Sequence, residues 1–158
     1  MDSQNTDQKL AVITGGASGI GLSCSKRFAK EGYAVLIIDA NEEAGEKELK
    51  SLKSDGYNAD FAYCDITKHE QVAAIFQGLG DQNKCAQVLV NCAGISPALN
   101  ALHEYPVEEW HRAIDINLHG TFYACREFLD LAIKNNASDG SIINVASIMG
   151  VRASASQA

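Results

Sequence analysis

Five short apolar runs, separated by longer amphipathic stretches, constrain this chain more than any other feature. The runs are Leu10–Ile13, Ala34–Ile38, Ala59–Tyr63, Val88–Val90 and Ser141–Val145. Each has the length of a buried strand, and β-branched residues are common in four of them. Between them the spacing predicts helices over about Gly19–Lys30, Glu42–Lys53, Lys68–Leu79 and Val107–Asn135. Strands alternating with helices imply βαβ crossovers, hence an α/β fold with a doubly wound parallel sheet covered on both faces.

Local punctuation agrees with this order. Asn41 is placed to cap the helix that follows, with Glu42 and Glu43 favourably set in its first turn. Thr67 and Glu70 have the spacing of a capping box, and Gly32 and Gly56 sit where helices end. Pro106 precedes the long fourth helix, where its missing N–H costs little. That helix reads at close to 29 residues, too long for one uninterrupted globular helix, and Asn117 and Gly120 predict a kink within it.

Composition excludes several function classes. The 158 residues support one domain, residues 1–158, with a flexible tail at 1–8. A formal net charge of −7 and the lack of clustered Lys/Arg argue against a nucleic-acid footprint. No stretch is long and apolar enough to span a bilayer, and Met1 to Lys9 lacks the apolar core of a secretory signal, so a cytoplasmic location is the default expectation. The five cysteines are scattered with no C-x-x-C, which reads as reduced thiols serving as small core residues. No metal-ligand spacing is present, and His111 and His119 are expected to face solvent or a neighbouring helix.

The strongest site signal is Thr14-Gly15-Gly16-Ala17-Ser18-Gly19-Ile20-Gly21, directly after a buried strand and at the mouth of a helix. A pyrophosphate must approach backbone N–H groups at a helix N-terminus, where donors are unpaired and the dipole is positive. Side chains would block that approach, so glycines at 15, 16, 19 and 21 read as a phosphate cradle. Asp39 closes the second strand 18 residues after Gly21. In a wound sheet that point faces the adenosine ribose of a dinucleotide. A carboxylate there accepts ribose hydroxyls and repels a 2′-phosphate, so NAD is expected over NADP.

With these residues placed, the sequence resembles the short-chain dehydrogenase/reductase family from Lys9 onward. Thr14 to Gly21 is similar to the family's T-G-x-x-x-G-x-G, making Thr14, Gly15, Ser18, Gly19, Ile20 and Gly21 the cofactor turn. Asp65 in Cys64-Asp65-Ile66 matches the acid that contacts adenine, with Ile66 beside it. Asn91-Cys92-Ala93-Gly94 resembles N-N-A-G, with Cys92 in place of the second asparagine; Asn91, Ala93 and Gly94 are its cofactor residues. Asn117 matches the helix asparagine that supports a relay water, and Ser147 the catalytic serine after the fifth strand. The resemblance implies a Rossmann-like fold and hydride transfer between nicotinamide and a carbonyl or secondary alcohol. It also implies a small-molecule substrate and, for the complete protein, a homo-oligomer.

The resemblance further implies an acid/base tyrosine followed four positions later by lysine. Four positions on from Tyr33, Tyr57, Tyr63, Tyr105 and Tyr123 stand Ile37, Phe61, Thr67, Glu109 and Glu127. The sequence therefore reads as a member truncated before that tyrosine, incomplete at the C-terminal end, with weak NAD binding and no turnover expected of the chain as given. The alternatives are a non-catalytic dinucleotide-binding fragment or pseudoenzyme, and a nucleotide-sugar epimerase or dehydratase relative. The loop Gly94–Pro106 is expected to border the substrate pocket, with His103, Glu104 and Tyr105 in a solvated stretch.

Overall fold

A computed structural model describes residues 8–96, 100–137 and 139–152. Five parallel strands form one sheet: β1 (Leu10–Thr14), β2 (Ala34–Asp39), β3 (Ala59–Tyr63), β4 (Ala86–Asn91) and β5 (Ser141–Asn144). Their order is β3-β2-β1-β4-β5, so the chain winds outward from β1 in one direction and then returns to build β4 and β5 on the other side. The helices are α1 (Gly19–Lys30), α2 (Glu42–Ser54), α3 (His69–Asp81), α4 (Val107–Ile114) and α5 (Thr121–Lys134).

The period of two along each strand splits the core into two layers. Val12, Leu36 and Leu89 point to one face, where Val72 and Phe76 of α3 and Ala124 and Phe128 of α5 cover them. Ala11, Ile13, Val35, Ile37, Val88 and Val90 point to the other, against Ala29 of α1 and Leu52 of α2. The expected doubly wound, Rossmann-like sheet is what the chain forms.

Most boundaries agree with the sequence reading, and the departures have local causes. β4 begins two residues earlier than its apolar run, because Ala86 pairs with Leu10 and the Gln87 side chain accepts a hydrogen bond from Leu10 N at 2.7 Å. Asn41 Oδ1 does accept from Ala44 N at 3.0 Å. The Thr67–Glu70 capping box does not form: Lys68 occupies the N-cap without a side-chain bond, and Thr67 Oγ1 instead donates to Asp65 Oδ1 at 2.7 Å. The expected kink is a π-helical segment, Asp115–Gly120, joining α4 to α5 with helical dihedrals on both sides. Gly120 fits there because a Cβ would lie 2.7 Å from Ile66 Cγ2.

The expected tail ends before Gln8, whose side chain donates to Gly32 O at 3.0 Å and accepts from Asn58 Nδ2 at 2.7 Å. Residues 1–7 of that tail, positions 97–99 of the loop and the run 153–158 lie outside the described residues. β5 is an edge strand, and beside it α5 exposes Phe122, Leu129 and Ile133. Among the described residues no helix is long and apolar enough to cross a membrane, and no group of His, Cys, Asp or Glu is set to hold a metal.

Candidate functional site

The four predicted cofactor segments, Thr14–Gly21, Asp39, Asp65–Ile66 and Asn91–Gly94, meet at the C-terminal ends of β1, β2, β3 and β4. There a groove of about 450 Å3 is lined by the turn residues Gly15, Ser18, Gly19, Ile20 and Gly21 together with Asp39, Asp65 and Ile66. Ala93 and Gly94 line it from the loop after β4. A parallel sheet necessarily leaves its ligand crevice where the winding reverses, here between β1 and β4.

The turn itself separates two uses of glycine. A Cβ on Gly15 would sit 2.8 Å from the Ala93 backbone, one on Gly16 2.9 Å from Ile13 O, and one on Gly21 2.0 Å from Gly15 O. These three are needed because the turn packs on its own backbone. Gly19, at φ +50, faces open space with no atom within 4 Å. It lines the groove and is the one glycine of the turn with room for a side chain. Gly15 and Gly21 line the groove as well, so at these positions the absence of a side chain serves the packing of the turn in addition to the open surface.

The turn also retains its donors. The first i−4 bond of α1 runs from Leu22 N to Ser18 O at 2.9 Å, so the amides of Gly19, Ile20 and Gly21 have no intrahelical acceptor. Ser18 makes no side-chain cap bond and no acid stands in the first turn. Donors, a positive helix end and an open glycine fit a pyrophosphate. Buried Ser25, which the sequence reading passed over, braces the turn, its Oγ lying 3.1 and 3.0 Å from the carbonyls of Gly16 and Gly21.

Both groove carboxylates are fixed by backbone amides. Asp39 Oδ2 accepts from Ala17 N at 3.1 Å and Oδ1 from Asn41 N at 3.0 Å, tying the end of β2 to the glycine turn. Asp65 Oδ1 accepts from Thr67 N at 3.0 Å, and Asp65 N donates to Gln71 Oε1 at 2.9 Å. A carboxylate oxygen can accept more than one bond, so both groups keep acceptor capacity toward the groove.

Thr14 and Asn91 are buried under the groove and do not line it. Thr14 Oγ1 accepts from Cys92 N and Ala93 N, each at 3.2 Å, and so clamps the β4 loop to the end of β1. Asn91 Nδ2 donates to Asn144 Oδ1 at 2.8 Å, linking β4 to β5. Asn117 lies in the π segment; its amide brackets Ile95, accepting from Ile95 N at 2.8 Å and donating to Ile95 O at 3.0 Å. Ser147 is exposed beyond β5, where its Oγ accepts from Met149 N at 3.2 Å. Val145, two residues before it, reaches the groove.

Several lining residues were not foreseen. Arg112 of α4 and Ile116 of the π segment form a wall, and Cys64 and Cys92 complete the surface. Burial pushes both thiols up to about 11, Cys64 with the added field of the Asp65 carboxylate and Cys92 with that of Cys24, so they remain neutral packing groups at physiological pH. The helical periodicity could have put Arg112 and Ile116 on one face, four residues apart, but it does not say which face meets the groove.

Comparison with known proteins agrees with this geometry. The family model for short chain dehydrogenases matches residues 9–158. A 3beta-hydroxysteroid dehydrogenase from Mediterraneibacter gnavus is 35% identical over 146 residues, covering 92% of this chain and 52% of that protein. A 3-oxoacyl-acyl-carrier-protein reductase, FabG, of Chlamydia trachomatis is 38% identical over 151 residues, 94% of this chain and 59% of that one. The crystal structure of an NAD+-bound xylitol dehydrogenase superposes with a TM-score of 0.88 at 30% identity, covering 97% of this chain and 58% of the other. An actinorhodin polyketide ketoreductase with NADPH superposes at 0.86 with 31% identity, covering 95% and 57%. The chain therefore spans a little over half the length of the relatives it matches. A groove built from the glycine turn, Asp39, Asp65 and the Cys92–Gly94 segment, on a sheet that a single family model covers from Lys9 onward, makes this chain a member of the short-chain dehydrogenase family.

Proposed function

We propose that this protein, a single dinucleotide-binding domain over residues 1–158, serves hydride transfer between a nicotinamide dinucleotide and a carbonyl or secondary alcohol, with NAD preferred. The observation that carries the preference is Asp39, held at the groove by Ala17 N and Asn41 N. Fixed in this way, the carboxylate meets ribose hydroxyls without a further ordering cost. A 2′-phosphate about 4 Å from it would be repelled by about 4 kcal/mol at an effective dielectric of 20. Water at the half-buried mouth reduces that, and a preference of about a hundredfold remains.

Bound nicotinamide supplies the hydride donor or acceptor. The chain's own residues hold and orient. The amides of Gly19, Ile20 and Gly21 receive the pyrophosphate, and Asp65 accepts from the adenine edge beside Ile66. Ser147, whose Oγ already accepts from Met149 N, has its O–H left to donate to a substrate carbonyl oxygen as charge develops there. Asn117 fixes the loop at Ile95. The substrate is a small molecule, and the apolar outer face of α5 suits a second copy of the chain in a homo-oligomer.

Cofactor titration tests the preference: wild type binds NADH about a hundredfold tighter than NADPH, and Asp39→Ala removes most of the difference. Tighter NADPH binding by the wild type would falsify the reading. A second reading is non-catalytic dinucleotide binding, for which the glycine turn and the two groove carboxylates suffice. The reading frame beyond the codon for Ala158 separates the two: a tyrosine followed four positions later by lysine supports the first reading, and a stop codon supports the second.

A further inference from the structure

The groove holds two carboxylates, Asp39 and Asp65, and among the described residues lining it one cation, Arg112. Arg112 has weak commitments elsewhere. Its hydrogen bond among the described residues is a long 3.5 Å contact to Glu109, and its side chain is 59% exposed. The α4–π–α5 rod passes the end of β3 at Gly120, packed on Ile66, and Arg112 stands eight residues earlier, about 12 Å along the axis. Ile116 lies between them, one turn from Arg112, so the wall presents an apolar side chain and a planar cation side by side.

The phosphate donors are already supplied by the turn at α1. What the β3 end presents, with Ile66 and Ile116 apolar and Asp65 able to accept at an edge, is a slot for a flat base carrying an amine. A guanidinium is planar, weakly hydrated and attracted to the π-face of such a base, whereas an ammonium offers only a point charge. We propose that Arg112 is an adenine-recognition residue of this site, its guanidinium plane stacking on the base whose edge Asp65 reads, at the wall formed with Ile116. This deepens, and rests on, the dinucleotide reading given above.

Binding constants of adenosine, ADP-ribose and nicotinamide mononucleotide, measured for wild type, R112A and R112K, test it. Truncation of an exposed side chain with one long hydrogen bond leaves the thermal midpoint unchanged. R112A is expected to weaken adenosine and ADP-ribose by the same factor, about tenfold, and to leave nicotinamide mononucleotide unaffected. R112K is expected to recover only a minor part. A loss confined to ADP-ribose and restored by R112K would make Arg112 a phosphate partner and overturn the assignment, as would full recovery of adenosine binding by R112K. Equal affinities in wild type and R112A would overturn it while leaving the dinucleotide reading intact. If the wild type binds neither ADP-ribose nor NADH, both fall together.

Discussion

Two alanine substitutions within one turn separate its packing from its ligand function. Gly21 lies in the first turn of α1, and a Cβ there would be 2.0 Å from Gly15 O and 2.7 Å from Gly15 C. Both are backbone atoms of the same turn, so no side-chain rotation relieves the overlap. The whole Gly15–Gly16 segment has to move, and Gly15 is itself closed in by the Ala93 backbone at 2.8 Å. Overpacking of this kind costs about 3 kcal/mol or more. For a domain of this size that is a fall in Tm of roughly 6–12 °C. Gly19→Ala meets no atom within 4 Å, and its penalty is the left-handed φ of +50 alone, about 1–2 kcal/mol.

The two variants should therefore invert between two assays. In thermal denaturation Gly21→Ala falls well below Gly19→Ala. In NADH titration at a temperature where both are folded, Gly19→Ala shows the larger loss per folded molecule, because its methyl group is added at the groove surface beside the amides of Gly19, Ile20 and Gly21. A Gly19→Ala protein that keeps wild-type affinity would refute the placement of the phosphates. A Gly21→Ala protein as stable as wild type would refute the packing argument.

Thr14→Val removes the hydroxyl that accepts from Cys92 N and Ala93 N; Cys92 N keeps Thr14 O at 3.1 Å, so Ala93 N is the amide stranded. A loss of about 1–3 kcal/mol is expected in denaturant unfolding, with Thr14→Ser restoring most of it, and equal stability of Thr14→Val and wild type counts against the clamp. Cys64, 2% exposed and pushed up to about 11 from 9.0, stabilises the fold in its neutral form. That contribution is whole below pH 9, where the unfolded thiol is still protonated, and is lost as pH rises to about 11, a change of about 3 kcal/mol. Unfolding free energies of wild type and Cys64→Ala should converge across that window; parallel curves reject the buried-thiol account.

The sheet was legible because its buried parallel strands are apolar runs and the helices between them are amphipathic, α2 with its own N-cap at Asn41. What the sequence hid were effects of one chain segment on another. The start of β4 depends on Gln87 reaching Leu10 N, which no local pattern announces. Thr67 has the spacing of a helix cap, yet the Asp65 carboxylate two residues away competes for its hydroxyl and wins at 2.7 Å. Asn117 and Gly120 signalled a disturbance in the long helix, but a kink and a π turn look alike in composition, and the structure has the latter over Asp115–Gly120. Arg112 reads as one more charge on an amphipathic helix until the helix is docked.

The groove's polarity follows from strand order and local geometry together, and it fixes which way round a ligand lies. The end of β1 leads into a helix whose first turn has donors and no acid, so that side of the groove takes anions. β2 finishes in Asp39 and β3 is followed two residues on by Asp65, each a carboxylate already oriented by backbone amides, so that side of the groove suits hydroxyls and amines. A ligand placed in reverse would set its phosphates against Asp39 and Asp65 and leave the amides of α1 unpaired, losing on both counts. The turn at β1 and the carboxylate at β2 are also bonded to each other through Ala17 N, so the two ends of the pattern cannot drift apart independently. On the dinucleotide reading proposed above, ligand orientation is a property of the sheet's connectivity, set before any substrate-selecting residue is considered.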